Sequence, residues 1–164
     1  MVILGGYSNK NIAWVDKISS LYKDKYNVNV IKYNHWYNGD FNLDDEVEKL
    51  SKLKDNYIVI AKSIGTYITL LGLAKNYLNP KYVIFMGHPL LMYKEDSIDV
   101  KDDIKNLNEN TNLLIIQQEN DKIGGYDEVK KELGNDILIK KIDGNDHAYD
   151  NYDEIKNIID DFIN

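Results

Sequence analysis

The residues able to do chemistry here are a serine in a tight turn, three histidines and carboxylates placed just after apolar runs. The serine is Ser63, within Ala61-Lys62-Ser63-Ile64-Gly65. This is a G-x-S-x-G turn with its first glycine replaced by alanine. A serine forced into a sharp strand-to-helix turn is strained, and small residues two positions either side let strand and helix approach. Gly65 meets that need fully, and Ala61 is the nearest substitute. The turn would expose the Ser63 hydroxyl at the strand end and set the Ile64 N–H near a helix N-terminus, where a developing oxyanion is stabilised. Taken alone, the pattern favours an ordinary serine in a strand-loop-helix, so its meaning depends on the rest of the chain.

A nucleophilic serine needs a general base, and the base needs a carboxylate to fix its tautomer and stabilise the imidazolium. The histidines are His35, His88 and His147. In the order Ser…Asp…His, Asp121 and His147 fit, each a few residues past an apolar run and in a loop containing glycine. Asp121 has a plainer alternative as the cap of the following helix, and His147 as a structural loop residue. The chain has no cysteine, which excludes a thiol nucleophile, disulfides and thiolate metal sites together.

The elements that must position these residues are readable as alternating strands and helices. Apolar, β-branched runs predict strands at 2–4, 28–33, 57–60, 82–86, 113–117 and 137–142. The third is bounded on its N-terminal side by polar Lys54-Asp55-Asn56. Helical spacing covers 11–25, 44–53, the segment from Gly65 to just before Asn79-Pro80, 98–107, 126–133 and 151–163. Six alternations predict a parallel sheet with right-handed crossovers and helices on both faces, in one domain spanning 1–164. Ligands of such sheets bind outside the carboxyl ends of the strands. Gly5 to Ser8, His35 to Tyr37, Ser63, His88, Asp121 and His147 all fall there, one group per strand.

Composition narrows the function classes. The chain has 164 residues and a net charge of −7, and all its cationic side chains are lysine. That argues against nucleic acid as a partner and removes any arginine clamp for phosphate. No apolar run approaches a membrane span, and Met1 leads straight into a strand without a leader-like segment, so a cytoplasmic location is expected. The Asp/Asn-rich segments 119–127 and 143–153 lack the ligand spacing of a calcium loop, so no metal is expected.

Three segments carry a resemblance to a known family: Ala61-Lys62-Ser63-Ile64-Gly65, Gln117-Gln118-Glu119-Asn120-Asp121-Lys122-Ile123-Gly124, and Asp143-Gly144-Asn145-Asp146-His147-Ala148-Tyr149. The chain resembles the α/β-hydrolase superfamily, in particular its small lidless bacterial members related to dienelactone hydrolase. The resemblance implies a minimal α/β-hydrolase fold with Ser63 as nucleophile, Asp121 as acid and His147 as base. It also implies an oxyanion hole from the Ile64 N–H and one amide of the loop after the first strand. Family members often carry His-Gly-aromatic there. The equivalent here is Gly5-Gly6-Tyr7, which selects Tyr7 over Ser8 as second donor and leaves the support of that loop without its histidine. In some relatives the acid follows the fourth strand, which here would be Glu95, Asp96 or Asp99.

His35, Trp36 and His88 are expected to line a substrate pocket, although His35-Trp36-Tyr37 fits equally well as packing over the sheet end. Trp14 is expected in the core. The reading that follows is a serine hydrolase of carboxylic esters or thioesters working through an acyl-enzyme, with a small-molecule substrate and no cofactor. A peptidase or acyltransferase using the same triad, and a non-catalytic binding protein on the same scaffold, are its rivals.

Overall fold

Apolar strand runs and amphipathic helices alternate through the computed structural model, which describes residues 1–53 and 57–164. The Lys54-Asp55-Asn56 boundary expected from sequence lies outside the described residues. Six strands form one parallel sheet in the order β2-β1-β3-β4-β5-β6. The chain divides into two compact units, Met1–Lys81 and Tyr82–Asn164.

The first unit holds β1 (Val2–Leu4), α1 (Asn11–Tyr22), β2 (Asn29–Ile31), α2 (His35–Asn38), α3 (Leu43–Glu48), β3 (Ile58–Lys62) and α4 (Ile64–Ala74). A single 3₁₀ segment, Lys49–Lys52, extends α3. β1 pairs in parallel with both neighbours, with Leu4 opposite Ile31 on one side and Ala61 on the other. That register brings the segments after β1, β2 and β3 out at one edge of the sheet. Every residue of β1 and β3 is buried, as expected of central parallel strands covered on two faces. α1 buries Trp14, Val15, Ile18 and Tyr22 on a helical spacing, so Trp14 is core.

The second unit holds β4 (Tyr82–Met86), α5 (Leu90–Glu95), α6 (Lys101–Asn110), β5 (Asn112–Gln118), α7 (Tyr126–Leu133), β6 (Leu138–Ile142) and α8 (Tyr152–Ile163). Met86 lies opposite Ile116, and Gln118 opposite Ile142, so the loops after β4, β5 and β6 also leave from a common edge. α8 buries Ile155, Ile159 and Ile163 every fourth residue and turns its acidic positions outward.

The structure corrects three local expectations. Residues 35–38, read as loop, form the short helix α2, closed by Gly39 in the left-handed conformation. The acidic helix starts at Lys101 and not at Ile98, its first amide bonded to Asp99 Oδ1 at 3.0 Å. α5 leaves no signal in Leu90-Leu91-Met92-Tyr93, because a six-residue helix is too short to display a period.

Candidate active site

Ser63 stands between the last residue of β3 and the first of α4, at φ 53° and ψ −123°. Few residues other than glycine adopt such angles, and holding them costs on the order of 1–3 kcal/mol. The close packing beneath the turn explains Gly65. A Cβ there would sit 2.8 Å from the Gly5 carbonyl oxygen and 2.9 Å from Leu4 Cβ, and a backbone oxygen cannot swing aside. The Ile64 N–H opens α4, where the first amides have no carbonyl one turn earlier in the helix. Ser63 itself is half-buried.

The loop leaving β1 runs beside this turn. Tyr7 is 54% exposed, while the loop's carbonyls are engaged from below. The Trp36 indole N–H is shared between the carbonyls of Gly6 at 3.2 Å and Tyr7 at 3.1 Å. His35 Nε2 lies 2.6 Å from the Tyr7 carbonyl, so that nitrogen must carry the hydrogen. His35 and Trp36, expected either as pocket walls or as packing over the sheet end, are buried, at 8% and 4% exposure. His35 Nε2 and the Trp36 indole N–H meet backbone carbonyls, whereas His35 Nδ1 is buried with no hydrogen-bond partner among the described residues. Tyr37 is the exposed aromatic of this segment. Lys62, buried at the end of β3, donates to Asn11 Oδ1 at 3.1 Å and lies 5.3 Å over the Trp14 ring.

In the second unit, Asp121 and His147 meet after β5 and β6. His147 Nδ1 is 2.7 Å from Asp121 Oδ2 and 3.0 Å from Oδ1. Asp121 also accepts the Ile123 N–H at 2.9 Å and the Tyr149 hydroxyl at 2.8 Å. Burial favours its neutral form, but the hydrogen bonds from His147, Ile123 and Tyr149 and the adjacent imidazole outweigh burial and hold the carboxyl below its ordinary value. A charged acceptor on Nδ1 fixes the neutral tautomer with its lone pair on Nε2. Nε2 is enclosed and has no hydrogen-bond partner among the described residues. Glu95, Asp96 and Asp99 are all exposed.

Sequence reading assigned no role to two residues that hold this pair. Gln118 accepts the His147 N–H through Oε1 at 2.9 Å and donates through Nε2 to Asp146 at 3.1 Å. Tyr149, fully buried, accepts the Gln118 N–H while its own proton goes to Asp121. The signal for Gln118 was present: two glutamines close an otherwise apolar strand. Gln117 does similar work nearby, accepting the His88 N–H and donating to the Gly124 carbonyl. His88, expected in a pocket wall, is 1% exposed and packs edge-on against Tyr93. Neither of its ring nitrogens has a partner among the described residues, and burial lowers its pKa to about 4. Among the described residues no cluster of three or more histidines or carboxylates could hold a metal, and no helix is long and apolar enough to cross a membrane.

The parallel sheet, the strained serine turn and the histidine–aspartate pair place the chain in the α/β-hydrolase fold, and solved structures agree. No family model and no curated protein matches it. A YdeN-like hydrolase from Pectobacterium atrosepticum matches at TM-score 0.68 and 16% identity, over 99% of this chain and 89% of that one. Mouse alpha/beta hydrolase domain-containing protein 10 matches at 0.69 and 12%, over 99% and 88%. Acyl-protein thioesterase 2 from Zea mays matches at 0.54 and 12%, over 99% and 93%. Identities this low carry the fold and not the chemistry.

Proposed function

We propose that this protein is a serine hydrolase that cleaves a small carboxylic ester or thioester through an acyl-enzyme. The observation that carries the reading is the backbone of Ser63. A non-glycine residue held at φ 53°, at the tip of a strand-to-helix turn, is strain retained where a hydroxyl must be presented. The Asp121–His147 pair supports the same reading, because it is a base already oriented by a charged acid.

In the proposed cycle, His147 Nε2 takes the Ser63 proton as Oγ attacks the carbonyl carbon. The Ile64 and Tyr7 amides stabilise the oxyanion, and His147 then protonates the departing alkoxide or thiolate. A water deprotonated by His147 attacks the acyl-enzyme, and collapse of the second tetrahedral intermediate returns the proton to Ser63. Asp121 remains ionised throughout. No step requires a metal or organic cofactor, nucleic acid or a membrane. The hydrolase and thioesterase among the structural neighbours fit this chemistry.

A panel of short-chain aryl esters and acyl thioesters tests the proposal. Turnover by the intact chain is expected, and Ser63→Ala should lower kcat by about 10⁴-fold or more with the fold retained. Equal turnover by the two proteins would overturn the nucleophile assignment.

A further inference from the structure

The loop after β1 lacks the histidine that commonly supports it in the family resembled, yet its carbonyls are unusually well held. The Tyr33 hydroxyl donates to the Gly5 carbonyl at 3.1 Å. Trp36 holds the carbonyls of Gly6 and Tyr7, and His35 holds that of Tyr7 a second time. Asn11 Nδ2 takes the Ser8 carbonyl at 2.9 Å. Four consecutive carbonyls, 5 to 8, are therefore fixed by four buried side chains.

The consequence follows from peptide geometry. In a trans peptide the C=O of one residue and the N–H of the next point in opposite directions, and no peptide bond among the described residues is cis. With the Gly6 carbonyl turned down onto Trp36, the Tyr7 N–H must face away from that side chain. With the Tyr7 carbonyl turned onto His35 and Trp36, the Ser8 N–H must do the same. We propose that Trp36 and His35 are positioning residues that preset the Tyr7 amide as the second half of the oxyanion hole, with the Ser8 amide turned the same way. This rests on the serine-hydrolase reading for its catalytic meaning.

The surroundings suit that task. The His35 ring stacks on Tyr7 at 4.6 Å and on Tyr33 at 5.5 Å, with Phe41 edge-on at 4.9 Å, so its plane is fixed. Glu46, fully buried, sits 4.0 Å from His35 Nδ1, and it is anchored by the Asn34 N–H at 2.7 Å and Lys49 Nζ at 2.6 Å. Burial and the Glu46 charge keep the Tyr33 hydroxyl protonated, and so a donor. Gly5 provides the clearance: a Cβ there would come within 3.0 Å of the Trp36 ring. Support that a loop histidine would give from within the loop thus comes from the crossover after β2.

The test compares Trp36→Phe, His35→Phe and His35→Gln in the full chain, by amide NMR and by ester kinetics. Trp36→Phe keeps a ring and removes the donor. His35→Gln keeps a donor that His35→Phe lacks. The Tyr7 and Ser8 amide resonances should move in both phenylalanine variants, with those of residues 113–149 unchanged. Their kcat should fall about 10- to 100-fold with KM nearly constant, and His35→Gln should recover part of the loss. Wild-type kcat in both phenylalanine variants would overturn the inference and leave the hydrolase reading standing. An inactive wild-type protein would overturn the hydrolase reading instead. The amide shifts would then decide alone whether these side chains set the loop, and unmoved Tyr7 and Ser8 resonances would overturn it.

Discussion

At the scale of the residue, Ser63 is where sequence and strain coincide. Its turn was visible in five letters because the steric need for small neighbours leaves a compositional trace at Ala61 and Gly65. The strain makes a prediction independent of catalysis. Ser63→Ala keeps a Cβ at φ 53°, whereas Ser63→Gly relieves the clash at the expense of about 0.5–1 kcal/mol of extra chain entropy in the unfolded state. Relief of about 1–3 kcal/mol is larger. The glycine variant should therefore be more stable than the alanine variant by roughly 1 kcal/mol in urea melts, although both lack the hydroxyl. An alanine variant as stable as the glycine variant would show that the turn is unstrained. The side chains whose contacts the sequence does not reveal act mostly through backbone carbonyls and amides. His35, Trp36 and Gln118 each meet a peptide group, and nothing in a sequence says which peptide a side chain reaches. Asp121 and His147 were legible because their chemistry needs another side chain, and chain order then restricts the choice.

At the scale of the element, the sheet was readable almost strand by strand. β1, β3, β4 and β5 are continuous apolar runs because parallel strands are buried on both faces, and such runs leave little room for another reading. α7 matches its expected span, 126–133, and its start is marked by Gly125, whose N–H reaches Glu128 at 3.0 Å. The two helices that the sequence does not reveal are both short. α2 has four residues and α5 has six, less than two turns, so no apolar stripe can repeat within them. α2 matters beyond its size. Its single turn sends His35 and Trp36 beneath the β1 loop, so of the two placements their sequence allows, pocket lining and packing over the sheet end, the packed one is found. The Leu4–Ile31 and Leu4–Ala61 registers bring that turn, the loop and the serine to one edge.

At the scale of the whole molecule, the buried ionisable groups tie stability to pH. His88 has an ordinary pKa of 6.5, lowered by burial to about 4 in the folded chain. Between those values the unfolded chain binds the proton and the folded chain does not, so stability falls as pH drops from 6.5 towards 4. The shift corresponds to about 3 kcal/mol as an upper bound. Asp121 acts in a lower window. Its folded value is depressed, so its contribution is complete above the ordinary 3.8 and is lost as pH falls below that. Urea melts at pH 7 and pH 4.5 should show the loss in the native chain. His88→Phe, which keeps a ring against Tyr93 and cannot titrate, should lose markedly less. Equal losses in the two proteins would remove His88 from the explanation.

The proposed activation of Ser63 as a nucleophile is open to direct measurement. The intact chain is treated with a fluorophosphonate, and the modified residue is mapped by mass spectrometry beside Ser63→Ala and His147→Ala. One phosphonate per chain is expected, on Ser63, absent from Ser63→Ala and strongly slowed in His147→Ala. A folded chain that takes up no phosphonate, or takes it up elsewhere than Ser63, would contradict it.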